Sequence, residues 1–112
     1  MTTENGKAML AAIERGDAAQ VRALVEKEAG LAGAVVEGGD MLGWAAFYAR
    51  PEIVEFLLAC GVEVNWRTSR GTTPLTFAVK GAEGALVSHG VNRPKESYAE
   101  CAALLRGKGA AE

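Results

Sequence analysis

Cysteine, histidine and aromatic residues are all scarce: the 112-residue chain has two Cys, one His, three Phe, two Trp and two Tyr. Two cysteines cannot build a disulfide framework, and the spacing of Cys60 and Cys101 matches no zinc pattern. Both are expected as free thiols, Cys101 on a core-facing helix stripe and Cys60 partly exposed beside a glycine. A single histidine, His89, has no cysteine or carboxylate pair at ligand spacing beside it, so no catalytic residue, metal site or cofactor is assigned. Gly81, Gly84 and Gly90 surround that histidine, but neither a phosphate-binding loop motif nor a strand-linked GxGxxG accompanies them.

There is also no excess of positive charge. Lys and Arg number 12 against 14 Asp and Glu, a formal −2, whereas binding a phosphate backbone calls for a basic surplus. Nucleic acid is not an expected partner. The longest apolar runs, such as Phe56 to Cys60, stop far short of the roughly 20 residues that span a bilayer. The N-terminal stretch MTTENGKAMLAAIERG carries charge through its apolar patch and lacks the order of a secretory signal. A soluble, cytoplasmic, monomeric chain with no membrane contact is the expectation.

The length fits one domain that buries about two-thirds of its unfolded surface, and what fills it is repetition. Gly38, Leu42 and Ala45 return 33 residues later as Gly71, Leu75 and Ala78. IVEFLLACG from Ile53 returns as CAALLRGKG from Cys101, and VRALVEKE from Val21 is an earlier copy. In the middle unit Leu42, Ala45, Ala46 and Ala49 line one side of a short inner helix. Pro51 opens an outer helix whose apolar face is Ile53, Val54, Phe56, Leu57 and Cys60, and Gly61 stands where a left-handed cap is wanted. In the first unit Asp17 is an N-cap with Gln20 three residues on, and Val21, Leu24 and Val25 face inward. Neither helix pair can bury its apolar side alone, so the pairs must stack.

At these residues the chain resembles the ankyrin repeat family. GTTPLTFA (71–78) is similar to its Thr-Pro-Leu-His signature, GVEVN (61–65) to its exit, and Val54-x-x-Leu57-Leu58 to its outer helix. The resemblance implies an all-α solenoid of about three stacked helix-turn-helix units, at about 3–34, 35–67 and 68–112, with an insertion in the last at about 81–97. There are departures: Asp40-Met41 stands for the Thr-Pro pair in the second unit, and Gly43 and Thr76 stand for the family histidine. Gly81 to Gly90 is expected as a loop and Pro94 to Leu105 as a closing helix, and excising about fifteen residues of the insertion to restore the 33-residue period is expected to leave the fold intact. Leu105, in a terminal unit with one open face, is expected to tolerate truncation better than Leu57.

The resemblance further implies a non-catalytic protein-protein interaction module. By likeness to ankyrin units, Phe47 and Tyr48, with Glu14, Arg15 and Lys80, face a concave groove, and Glu37, Ser69 and Arg70 stand at turn tips where partners touch. Off the packed stripe of the inner helix, Phe47 and Tyr48 are expected to look outward, unless the insertion or a neighbouring helix covers them. Trp44 is a wedge between units. Two rival readings are a small regulatory or immunity-type protein dedicated to one partner, and a ligand-binding or enzymatic protein using His89.

Overall fold

A computed structural model describes residues 3–111. Helices α1 (Thr3–Arg15) and α2 (Ala18–Lys27) are followed by a 3-10 turn, Ala29–Gly33, and a two-stranded antiparallel hairpin, β1 (Val35–Val36) and β2 (Gly39–Asp40). Then come α3 (Met41–Phe47), α4 (Pro51–Ala59), α5 (Pro74–Ala82), a 3-10 turn at Val87–His89, and α6 (Lys95–Gly107). The chain is therefore mostly helical, and among the described residues the hairpin is the one departure from an all-α arrangement. Glu37 and Gly38 at its tip both have positive φ (53° and 78°), the conformation a two-residue hairpin loop demands.

Local chemistry explains the helix ends. Asp17 Oδ1 accepts the Gln20 N–H at 3.0 Å, Asp40 Oδ1 that of Gly43 at 2.9 Å, and Thr73 Oγ1 that of Thr76 at 3.2 Å, three N-caps of the same kind. Pro51 and Pro74 each open a helix where a missing N–H costs nothing. Where the family histidine is absent, the Thr76 hydroxyl instead meets that of Thr73 at 3.0 Å.

The helices form two rows. In one, α3 packs on both α1 and α5; in the other, α4 packs on both α2 and α6. Leu42, Ala45, Ala46, Ile53, Val54 and Leu57 are buried between the rows, joined by Met9, Ile13, Val21, Leu31 and Leu75. Small residues on α3 let its neighbours approach closely from both sides. Leu105 is as completely buried as Leu57, so the expected open face is missing there: α6 packs over both α4 and α5 and closes the end of the stack.

Two further expectations change. Helix α3 ends at Phe47, and Ala49 turns the chain with φ 54° while its methyl stays buried. The insertion is shorter than 81–97, since α5 runs through Ala82 and α6 begins at Lys95. It is also not a free loop. Leu86 and Val91 are buried with Ala49 and Tyr98 in a second apolar cluster, against which Phe47, Tyr48 and Ala82 pack. Gly81 lies inside α5, where a Cβ would fall within the Tyr98 ring. The insertion therefore carries core residues of its own.

Candidate functional site

The hairpin tip, the 68–72 turn, one side of α3, the end of α5 and the insertion surround a groove of about 550 Å³. Its walls include Glu37, Trp44, Phe47, Ser69, Arg70, Phe77, Lys80, Glu83, Leu86 and His89. Five of the residues singled out from the sequence, Glu37, Phe47, Ser69, Arg70 and Lys80, thus come together from four segments. Glu37, Ser69, Arg70 and Lys80 are exposed. Two pairs of its lining residues are in repeat register: Glu37 and Arg70 stand 33 residues apart, as do Trp44 and Phe77.

The floor is aromatic. The Phe47 ring meets Trp44, Tyr48 and Phe77 edge to face, with centroids 5.5, 5.0 and 5.6 Å away, and His89 lies at 6.3 Å. Trp44 stacks on Tyr48 at 6.0 Å and donates its indole N–H to the Val36 carbonyl at 2.7 Å, which fixes the ring against the hairpin. Phe47 and Tyr48 are consequently half-buried rather than outward-looking. The cause is twofold: neighbouring rings flank them, and the insertion packs over them from α5's side. Trp44 serves as a groove wall.

The remaining singled-out residues separate. Glu14 and Tyr48 line a second cleft of about 480 Å³, with Arg50, His89 and Arg93. The Tyr48 hydroxyl donates to Glu14 Oε2 at 3.2 Å, and burial together with that carboxylate raises the tyrosine pKa. Arg15 borders neither cleft and pairs instead with Asp17 at 3.5 Å. Phe77 and Leu86 were not singled out, although Phe77 was signalled by its register with Trp44. Leu86 has no such signal, lying in a glycine-rich stretch without helical period.

Among the described residues no group of three or more His, Cys, Asp and Glu is placed to hold a metal ion. Cys101 is buried, and burial pushes its thiol up to about 12, which makes it a poor nucleophile. Cys60 is exposed. Asp40 is the buried acid of the region: loss of solvent raises its carboxyl to about 6 against the pull of the Gly43 amide. Among the described residues no helix is long and apolar enough to cross a membrane.

The chain is 40% identical over 76 residues to a probable E3 ubiquitin-protein ligase, XBOS32, of Oryza sativa subsp. japonica; the match spans 66% of this chain and 15% of that protein. The ankyrin repeat family model matches residues 37–66, the span from the hairpin tip through α4. Residues 37–66 of this chain are an ankyrin repeat.

Proposed function

We propose that the three helix pairs are three stacked ankyrin units forming one short solenoid, and that the chain is a non-catalytic module that binds a partner protein through the groove between α3, α5 and the turn tips. Ankyrin repeats generally mediate protein-protein interaction, and the packing of α3 on α1 and α5 fits a stack in that order. The observation that carries the reading is the convergence of Glu37, Phe47, Ser69, Arg70 and Lys80 on one aromatic-floored groove. Exposed charges around half-buried rings resemble the rim and anchor of a protein interface. The Arg70, Lys80, Glu37 and Glu83 side chains make no ion pair among the described residues, which leaves them free to meet a partner. Glu14 and Tyr48 extend the surface, and Arg15, paired with Asp17, is left outside it. Ligase activity is not carried over from the rice protein, of which this chain covers a small part.

The test is capture of partners from an extract of the native host by the immobilised chain and by its Arg70→Glu, Lys80→Glu double variant. Both side chains are exposed and unpaired, so stability should stay within about 0.5 kcal/mol of the parent. The proteins captured by the parent should be depleted at least about tenfold, the loss expected when rim charges are reversed against a complementary surface. Equal capture by a folded double variant would refute this surface as the interface. Phe47→Ala is less suitable, because its ring supports four neighbours and its removal would perturb folding as well.

A further inference from the structure

Arg50 and Arg93 line one cleft together, each tied to backbone oxygens. Arg50 Nε donates to the Ile13 carbonyl at 3.2 Å and Nη2 to the Glu14 carbonyl at 2.5 Å, while Arg93 Nε donates to the Tyr48 carbonyl at 3.2 Å. Each arginine is a half-buried residue, and each guanidinium is held by backbone oxygens. Burial first, and the charge of Arg93 second, lower the Arg50 pKa. Neither arginine makes an ion pair among the described residues. Glu14 accepts from Tyr48, and Glu52, which lines the same cleft, has its carboxylate 4.0 Å from Arg22.

Both arginines line a cleft of about 250 Å³ that also includes Gly16, Pro51, Glu52 and Ser97. Gly16 has no Cβ, and one added there would come within 2.9 Å of Arg50 Nη1, so the guanidinium lies directly on the glycine. Arg50 Nη1 and both Nη atoms of Arg93 have no protein acceptor among the described residues, and neither has the Ser97 hydroxyl. Like charges fixed next to each other and partly desolvated are unfavourable unless an anion joins them.

We propose that this cleft binds a phosphoryl group, as free phosphate or as the end of a phosphate monoester. Its volume falls below the roughly 300–1,000 Å³ of pockets that enclose a drug-sized ligand, which suits a small anion or the tip of a larger molecule. Arg50 Nη1 and the Nη pair of Arg93 offer three donor nitrogens to the several oxygens and double charge of a phosphoryl group, more than the two oxygens of a carboxylate can engage. Helix α4 starts at the same wall without a side-chain cap, so the first-turn amides of Glu52 and Ile53 add donors to the arginine pair.

The test is a titration of the isotope-labelled chain with inorganic phosphate, with ionic strength held constant by sodium chloride, following the Nε–Hε signals of Arg50 and Arg93. Saturable shifts of both signals are expected, at least about tenfold weaker with acetate and at least about tenfold weaker in Arg93→Lys, which keeps the charge and removes the fork. Ser97→Ala, which removes a hydroxyl with no protein partner, should weaken binding several-fold and guards against a lysine variant that folds poorly. Phosphomonoester-bearing peptide binding more tightly than free phosphate identifies the monoester as the source; free phosphate binding as tightly identifies the ion. Shifts produced equally by sodium chloride alone, equal binding of acetate, or undiminished binding in both folded variants would overturn the proposal.

Discussion

Leu86 and Val87 are adjacent in the insertion and differ by little more than a methylene, yet the structure gives them opposite surroundings. Leu86 is 5% exposed in the cluster with Ala49, Val91 and Tyr98, whereas Val87 is 56% exposed. Loop-closure entropy alone would make both truncations, and even removal of the segment, nearly neutral. Burial predicts otherwise for one of them. Leucine-to-alanine changes in cores cost about 2–5 kcal/mol, and a small cluster edged by half-buried Phe47 and Tyr48 can partly collapse, which puts Leu86→Ala near the lower end at about 2–3 kcal/mol. With a urea m-value of about 1–3 kcal/mol/M, the unfolding midpoint should fall by about 1 M or more. Val87→Ala should stay within about 0.5 kcal/mol of the parent. The assay is paired urea denaturation followed by far-ultraviolet circular dichroism, with the slope checked for constancy. Midpoints that move together, by a large or a small amount, would refute the claim that the insertion packs as core through Leu86.

The raised carboxyl of Asp40 gives a pH prediction. The folded chain holds this proton more tightly than the unfolded chain, so the associated stability is fully present below about pH 4 and is lost as pH rises through about 6. Asp40→Asn keeps an N-cap acceptor and removes the buried charge; relative to the parent it should gain about 1–3 kcal/mol above pH 7 and little or nothing near pH 4. The same difference at both pH values in denaturant titrations would contradict this. Gly81→Ala sets helix propensity, a gain of up to about 1 kcal/mol, against a methyl placed inside the buried Tyr98 ring. That ring is also pinned by its hydroxyl to the Phe47 carbonyl at 2.7 Å, so overpacking should win with a net loss of about 1–3 kcal/mol. A raised melting temperature would show that the ring yields.

Helix faces and ends were legible because they are written in local spacing. Leu42, Ala45 and Ala46 follow the helical period, Asp17 and Pro51 mark starts, and Gly61 takes the left-handed conformation expected of it (φ 81°). The 33-residue offset pairs Glu37 with Arg70 and Trp44 with Phe77, and all four line one groove. What escaped was set by contacts distant in sequence. Ala49 carries the apolar spacing of α3, but the chain has already turned there, and nothing local separates a last helical residue from the first of a turn. Leu86 and Val91 have no periodic neighbours, so their burial follows only from Tyr98 arriving on α6. Arg50 and Arg93 are single arginines with no motif around them; their partners are carbonyl oxygens, which every residue possesses and no sequence pattern distinguishes.

Those carbonyls link the helix pairs in a direction. The oxygens at the end of α1, on Ile13 and Glu14, are satisfied by Arg50 from the segment that begins α4. The oxygens at the end of α3, on Phe47 and Tyr48, are satisfied by Tyr98 and Arg93 from α6 and the insertion. Each inner helix therefore has its C-terminal acceptors completed by the pair that follows it, while α5 closes its own end through the Ala85 amide. Fraying is asymmetric as a result: opening the last pair strips the end of α3, whereas opening the first pair strips no later helix of its cap. Amide exchange should spread from the C-terminal pair toward the N-terminal one, with the 83–94 segment exchanging together with the end of α3 instead of ahead of it.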